Sequence, residues 1–239
     1  MRKSRAAGLL FLAAAALAQQ QQSVEMTSEP SHHLVFENEY VRVFDVIVAP
    51  KASTLIHRHN HDYLFVTLGD SDLVNARVGE KPAPLQLKDG EVRFTPGNFA
   101  HAAINNSDRP FHNTTIELLK PSTNVKTCTE SCTVSAPCNG SSTTICLSET
   151  RLSSDQWTIS MVTIPPGETF YSRHPGQFLL VAVSYIDLGW GASDVIFPFN
   201  RKPGGFDWTH AGFQGQMINH ASQPARFVVL EFNEEQPKP

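Results

Sequence analysis

The sequence predicts an all-β protein built from two similar domains, and three observations lead to this prediction. Short apolar runs rich in Val, Ile, Phe and Thr recur about every ten residues, with Pro, Gly, Asn and Asp between them. Evenly spaced runs of this kind are typical of β-sandwiches and β-barrels. No convincing helical periodicity follows the N-terminal segment. The chain also contains an internal repeat, which bears on the number of domains.

The first eighteen residues form a predicted secretory signal peptide. Arg2, Lys3 and Arg5 precede an apolar run over 6–17, and the run closes on Ala-Leu-Ala at 16–18. A basic start, a short apolar middle and small residues at the end are typical of such peptides. The run is also shorter than the roughly 20 residues that a membrane helix needs. We therefore expect an exported protein, periplasmic or extracellular, with no membrane span after cleavage of residues 1–18.

The remaining 221 residues have a net negative charge. They hold 16 basic and 23 acidic side chains, a net charge of −7. Nucleic acids and anionic membranes are bound by basic surfaces, so neither is expected as a partner. At about 100–200 residues per domain, this length suits one large domain or two small ones.

The internal repeat favours two small domains. Residues 48–57 align with 163–172, and residues 104–110 align with 218–224, each pair followed by a β-rich ending. The alternative is a chance match between two β-rich stretches. The predicted organisation is, in order, an N-terminal domain at 32–121, a Cys-rich linker loop at 122–150 and a C-terminal domain at 151–235.

A histidine cluster in the first copy carries the predicted chemistry. His57, His59 and His61 alternate with other residues just before a predicted strand, and His101 follows a later one. Side chains two apart on a strand face the same way, so His57 and His59 can point together into a barrel. A third imidazole from another strand would complete one face of a coordination sphere. Neutral imidazoles suit zinc, copper, nickel and iron, and oxygen ligands shift the preference towards manganese.

These segments resemble the two signature motifs of the cupins, which are β-barrels of jelly-roll type. The second cupin motif reads G-x5-P-x-G-x2-H-x3-N. Gly90, Pro96, His101 and Asn105 stand at the matching positions, and Asn98 replaces the second glycine. The resemblance implies two jelly-roll cupin barrels, a bicupin, joined by a disulfide-containing loop.

The first cupin motif contains a His-x-His pair followed by a ligating Glu. His57 and His59 match the pair, Tyr63 occupies the usual Glu position, and Asp62 is the nearest carboxylate. The resemblance implies that His57, His59 and His101 bind one divalent transition metal, which is Fe, Mn, Ni, Cu or Zn. Tyr63, Asp62 and His61 are the candidates for a fourth ligand or for lining the pocket, His61 only if the strand register slips by two. Tyr63 could equally be an aromatic filler.

The second copy lacks most of the ligand set. Ser172 stands opposite His57, Gly215 stands opposite His101, and only His174 remains. One imidazole cannot hold a metal, so the second barrel is predicted to be degenerate. Outside the motif, His32 and His33 are expected to be terminal, and His112 to be an ordinary strand residue.

The four cysteines lie in one short window. Cys128, Cys132, Cys138 and Cys146 are separated by gaps of three, five and seven residues. In an exported protein an even, clustered set predicts two disulfides, whose pairing the sequence leaves open. The alternative is a four-cysteine zinc site, although its usual C-x-x-C pairs are absent.

The leading hypothesis is an exported, metal-dependent cupin enzyme that acts on a small organic molecule, with oxygenation as the favoured reaction because three histidines leave coordination positions open. The alternative is a non-catalytic cupin that binds a small molecule or a carbohydrate, and a structural role is a third reading. No serine-hydrolase, Walker, dinucleotide-binding or H-E-x-x-H motif occurs in the chain. Many cupins pair through their barrels, so a homodimer is also an expectation from the resemblance.

Overall fold

The computed structural model describes residues 23–128, 133–137, 145–192 and 195–233, without the side chains of 133–137 and 145–146. The predicted signal peptide at 1–18 lies outside these ranges. Within them the chain forms twenty-one strands and one short 3-10 helix, which confirms the all-β prediction. No helix in the described part of the chain has the length and apolar character needed to cross a membrane.

The first half folds into two five-stranded sheets that face each other. Its elements are β1 (Val24–Glu25), a 3-10 helix (Met26–Ser28), β2 (His32–Glu37), β3 (Val41–Val48), β4 (His57–His59), β5 (Tyr63–Thr67), β6 (Ser71–Arg77), β7 (Ala83–Leu87), β8 (Val92–Thr95), β9 (Phe99–Asn105) and β10 (Phe111–Leu118). One sheet has the order β1-β4-β9-β6-β7, and the other has the order β2-β3-β10-β5-β8. We call this half the first barrel.

The second half repeats this arrangement. Its strands are β11 (Lys126–Thr127), β12 (Thr133–Pro137), β13 (Ile145–Ser153), β14 (Trp157–Ile164), β15 (Thr169–His174), β16 (Phe178–Ala182), β17 (Ile186–Ala192), β18 (Val195–Arg201), β19 (Phe206–Thr209), β20 (Phe213–Asn219) and β21 (Ala225–Phe232). The order β14-β21-β16-β19 reproduces β3-β10-β5-β8, and β15-β20-β17-β18 reproduces β4-β9-β6-β7. The prediction of two jelly-roll barrels is therefore confirmed, and we call this half the second barrel.

The segment predicted as a linker loop, 122–150, contains strands. It includes β11, β12 and the first part of β13, and β12 pairs antiparallel with β13. Since β13 in turn pairs with β14, it takes the position beside β14 that β2 takes beside β3. Of the four cysteines, only Cys128 has a described side chain, so the two disulfides stay a prediction.

The two barrels share one hydrophobic core. Val41, Leu64 and Ile116 of the first barrel lie in the same buried cluster as Ile159 and Leu179 of the second. The strands at this junction are covered on one face by the neighbouring barrel and on the other by their own barrel. This double burial explains why β16 is apolar throughout and buried at all five positions.

The motif asparagine Asn105 closes the end of the first barrel. Its buried side-chain amide donates hydrogen bonds to the carbonyl oxygens of Val48 (3.1 Å) and Arg109 (2.7 Å). In the second barrel the amide of Asn219 donates in the same way to Ile164 and Gln223, both at 2.9 Å. Both asparagines therefore tie the end of one strand to the turn that follows it, which is a structural role.

Candidate metal centre

Strands β4 and β9 bring the three predicted histidines together. In the antiparallel register His57 lies directly opposite His101, and His59 lies two residues further along β4. Both β4 imidazoles point inwards and are almost fully buried, whereas Arg58 between them is exposed. Nε2 of His59 is 3.2 Å from Nε2 of His57 and 3.1 Å from Nε2 of His101.

Backbone and side-chain acceptors orient two of the imidazoles. Nδ1 of His57 donates to the carbonyl oxygen of Leu55 at 3.0 Å. Nδ1 of His101 donates to Oδ1 of Asn75 at 2.8 Å. Each bond places the ring proton on Nδ1 and leaves the lone pair of Nε2 free, which is the usual outer arrangement around a metal ligand. Nδ1 of His59 is buried and has no hydrogen-bond partner in the described residues.

Burial keeps the three imidazoles neutral. It lowers the pKa of His57 to about 4, with a further contribution from His32. It lowers the pKa of His101 to about 3, with repulsion from His57 added. The pKa of His59 is lowered for the same reasons, burial first and His101 next. A histidine must be neutral to bind a metal, so these pKa shifts favour the ligating form.

The spacing of the three nitrogens fits one ion. Two nitrogens that bind one metal at about 2.0–2.1 Å, at angles between about 90° and 109°, stand roughly 2.8–3.4 Å apart. The observed separations of 3.2 and 3.1 Å fall in this interval. All three candidate ligand atoms lie within 4.8 Å of one another, and no other such group of three occurs in the described ranges.

A buried pair behind the histidines was missed by the sequence analysis. His32 was expected to be terminal, but it is 8% exposed, and its ring centroid lies 4.5 Å from that of His57. Its Nδ1 donates to Oε2 of Glu29 at 2.6 Å, and Glu29 is 2% exposed. The other Glu29 oxygen accepts the backbone N–H of Leu55 at 3.1 Å. Glu29 therefore fixes the residue whose carbonyl holds His57.

Glu29 is charged in this environment. Burial by itself would raise the pKa of Glu29, but the hydrogen bond from His32, the charge of His32 and two backbone N–H donors hold that pKa below its usual value. A buried carboxylate that accepts several hydrogen bonds is well placed to hold its neighbours rigidly. No pattern of spacing pointed to it, since Glu29 and His32 lie well before the motif.

A cavity of about 130 Å³ opens beside the three imidazoles. Its other polar lining residues include Asn75, Arg77, Arg93, Thr95, Asn113 and Thr115. Among the described residues that line it, none is Asp or Glu. The half-buried Arg77 lies with its guanidinium 4.0 Å from the ring centroid of Phe99. The cavity is therefore small, with a mixed apolar and polar lining and two arginines on its wall, of which Arg93 forms an ion pair with Glu91.

Of the three residues considered for a fourth ligand, only Tyr63 reaches the cavity. Tyr63 lines the cavity, but its ring stacks on His59 at 4.1 Å, and burial raises its pKa to about 12. Asp62 accepts the backbone N–H of Gly97 at 2.9 Å, in the loop after β8. Neither Asp62 nor His61 lines the cavity. Among these three, only Tyr63 is at the site, as a neutral aromatic wall.

The equivalent place in the second barrel has no ligand cluster. Ser172 pairs with Gly215 on β20, as His57 pairs with His101. Nδ1 of His174 bonds to Oε2 of Glu231 at 2.9 Å. A side chain at Gly215 would clash with the carbonyl oxygen of Gly191 on the neighbouring strand. The described part of this barrel therefore has no room for the third imidazole.

Comparison with known proteins supports the fold. No protein-family model matches the chain, and no curated protein matches it in sequence. AerE from Microcystis aeruginosa is similar in structure, with a TM-score of 0.56 and 13% identity over 86% of this chain and 99% of that one. Oxalate decarboxylase from Bacillus subtilis, a protein with Mn(II) centres, is also similar in structure. Its TM-score is 0.55, and it is 12% identical over 83% of this chain and 70% of its own chain.

A cupin-domain protein from Bordetella pertussis is 30% identical over 36% of this chain and 90% of its own length, with a TM-score of 0.35. The fold assignment rests on the two longer matches and on the repeated sheet order. Both matches extend over more than four-fifths of this chain, which requires both barrels. The chain therefore has the same fold as these two proteins, with two jelly-roll barrels in one polypeptide.

Proposed function

We propose that the first barrel binds one divalent transition metal through His57, His59 and His101. The observation that carries the proposal is the convergence of three buried, neutral imidazoles on one point beside a cavity. Three protein ligands leave coordination positions open, which is the arrangement of catalytic metal sites, whereas structural sites are closed by four. Iron, manganese, nickel, copper and zinc all suit such ligands, and the imidazole set does not select among them.

The proposed activity is metal-dependent turnover of a small organic molecule, with oxygenation as the leading reaction type. A redox-active metal with open positions supplies binding of dioxygen and of a chelating substrate. The protein contributes the shape and the charge of the cavity. Tyr63 and Phe65 form apolar wall, and the arginines Arg77 and Arg93 supply positive charge. These residues favour a substrate that carries a carboxylate or a similar anionic group.

Metal analysis of the mature protein, isolated without an affinity tag, tests the proposal. We expect one ion per chain, and iron would favour oxygenation. Dioxygen uptake is then measured with a panel of small organic acids, against the His101→Ala variant as the inactive control. Protein that takes up no transition metal in any buffer would overturn the proposal. Uptake of dioxygen by the His101→Ala variant at the wild-type rate would overturn the site.

A non-catalytic binding module is the second candidate. It is favoured by the absence of Asp and Glu from the described lining of the cavity, because general acid–base steps commonly use a carboxylate. In this case a small molecule would bind at the metal without being converted. Stoichiometric metal and saturable ligand binding, with no product detectable by mass spectrometry, would favour the module over the enzyme.

Export and the disulfides are proposed on the sequence alone. A signal peptide over 1–18 predicts a mature N-terminus at Gln19. Intact-mass measurement of protein expressed with its own leader tests this, and thiol counting after denaturation tests the disulfides. A retained leader, or four free thiols in exported protein, would contradict the proposal.

A further inference from the structure

The second barrel contains a separate cavity that the proposed metal function does not use. It has a volume of about 270 Å³ and lies between β15 and the strands β13, β14 and β21. Five side chains that carry a hydroxyl group line it: Ser148, Thr158, Ser160, Tyr171 and Ser172. No residue that lines it also lines the cavity of the first barrel. The two cavities are therefore independent places for a ligand.

Two buried polar atoms that belong to residues lining this cavity have no hydrogen-bond partner in the described residues. They are Oγ of Ser172 and Nε2 of His174. Ser172 is 9% exposed, and the two residues stand two apart on β15, so both side chains face the same way. A buried polar atom without a hydrogen bond destabilises the fold, and such atoms beside a cavity therefore mark a place where a ligand can bind.

The hydrogen bonds of His174 define what that ligand must offer. Its Nδ1 donates to Oε2 of Glu231 at 2.9 Å, and Oε1 of Glu231 accepts the backbone N–H of Gly176 at 3.2 Å. With the proton on Nδ1, Nε2 presents a lone pair and needs an O–H or N–H donor. The Ser172 hydroxyl can both donate and accept. A hydroxyl group on the ligand satisfies both atoms.

The charge and the size of the cavity further restrict the class of ligand that it can bind. The carboxylate of Glu231 is paired with His174 and Gly176, and the guanidinium-bearing Arg173 is exposed. The inner wall therefore presents hydroxyls together with the apolar side chains of Val162 and Val229. Pockets for drug-sized ligands measure about 300–1,000 Å³, so this cavity suits a smaller molecule. We propose that it binds a small neutral polyol, about the size of one sugar ring, without a metal.

The test uses the mature full-length protein with D-glucose and myo-inositol as probes. Saturable binding of at least one of them is expected by titration calorimetry or ligand-observed NMR. The Ser172→Ala variant should bind roughly 2- to 10-fold more weakly, the loss expected for one neutral hydrogen bond. The His101→Ala variant, which alters only the first barrel, should bind as the wild type does.

A second measurement keeps the test independent of variant folding. In the wild-type protein the ring resonances of His174 should shift when the probe is added, while those of His57 stay in place. The absence of saturable binding by either probe would overturn the proposal. So would binding of acetate in preference to both polyols, or binding that is abolished by His101→Ala and unchanged by Ser172→Ala. Failure here leaves the proposed metal centre untouched, because its own test is the metal content.

Discussion

The buried imidazole of His57 leads to a quantitative prediction for the metal-free protein in acid. Burial, together with repulsion by His32, lowers the pKa of His57 to about 4, whereas a histidine in an unfolded chain titrates near pH 6.5, as a rough reference value. Between these two pH values the unfolded state binds a proton that the folded state does not bind. Stability rises with pH wherever the unfolded state binds more protons. The free energy of unfolding must therefore fall as the pH drops through this window.

The size of the effect follows from the width of the window. One proton changes the free energy of unfolding by about 1.4 kcal/mol per pH unit. From pH 6.5 down to a pKa of about 4, the contribution of His57 is roughly 3 kcal/mol. The pKa of His101, about 3, extends the loss to lower pH. Such a loss is a large part of the roughly 5–15 kcal/mol that stabilises an ordinary domain.

Urea unfolding of chelator-treated protein, from neutral pH down to about pH 4, measures the slope directly. The His57→Gln variant removes one titrating imidazole, so its slope should be shallower by about 1.4 kcal/mol per pH unit, whatever its stability at pH 7. The His33→Gln variant, which replaces an exposed imidazole, is the matched control. Equal slopes for the wild type and the His57→Gln variant would refute the buried, neutral state of His57.

Three further predictions test the two barrels. The His101→Ala variant should lose nearly all bound metal, whereas the His174→Ala variant should keep one ion per chain. Metal analysis after dialysis measures this, and a full equivalent of metal in His101→Ala would contradict the proposed site. The Glu29→Gln variant should bind metal about 10- to 100-fold more weakly in competition with a chelator, because changes to residues that orient metal ligands commonly weaken metal binding by this factor. An unchanged affinity would show that Glu29 does not position His57. The Gly215→Ala variant should lose about 1–3 kcal/mol in urea unfolding, because its Cβ would clash with the Gly191 carbonyl; an unchanged midpoint would contradict this.

The convergence of the three histidines could be predicted because their pattern is local. A period of two places His57 and His59 on one face of a strand, and the motif around Pro96 predicts that His101 belongs to the same site. The structure adds the register, in which His57 and His101 are direct partners on neighbouring strands. Tyr63, left open as ligand or filler, lies against His59 and lines the cavity.

The supporting residues could not be predicted, because only the three-dimensional fold brings them to the site. His32 is placed by the pairing of β2 with β3, opposite Val46, and a double histidine at the start of a strand has no periodicity that indicates burial. Asn75 and Arg77 lie on β6, whose sequence, Ser71–Arg77, has no clean alternation of apolar and polar residues. Their roles depend on the pairing of β6 with β9.

Strands also form in the segment that was predicted as a linker loop, 122–150. Residues 133–137 and 145–153 are rich in Thr and Ser, which also favour loops, and the clustered cysteines suggested a disulfide-pinned loop. Strand β14 can pair with a further strand on the side away from β21. Strand β13, Ile145–Ser153, forms this pairing. Tertiary pairing therefore overrides weak local preference here.

Equivalent interior positions of the two barrels carry different side chains. Leu73 pairs with Asn105 as Leu188 pairs with Asn219, and this register makes further positions equivalent. Large apolar residues in the second barrel replace smaller or polar ones in the first: Trp190 for Asn75, Met217 for Ala103 and Phe227 for Asn113.

These replacements put large apolar side chains on β17, β20 and β21, at positions whose equivalents in the first barrel line its cavity. Trp190 is 8% exposed, and it packs edge-on against Phe199 and Phe213 with ring centroids 4.6 and 5.5 Å apart. Apolar contacts of this kind stabilise a barrel without any ligand. In the first barrel the corresponding volume holds a cavity and three imidazoles that must be buried uncharged, which destabilises the metal-free protein in acid. Since one hydrophobic core joins both barrels, the apolar packing of Trp190, Met217 and Phe227 in the second barrel can offset the cost of burying three uncharged imidazoles beside a cavity in the first.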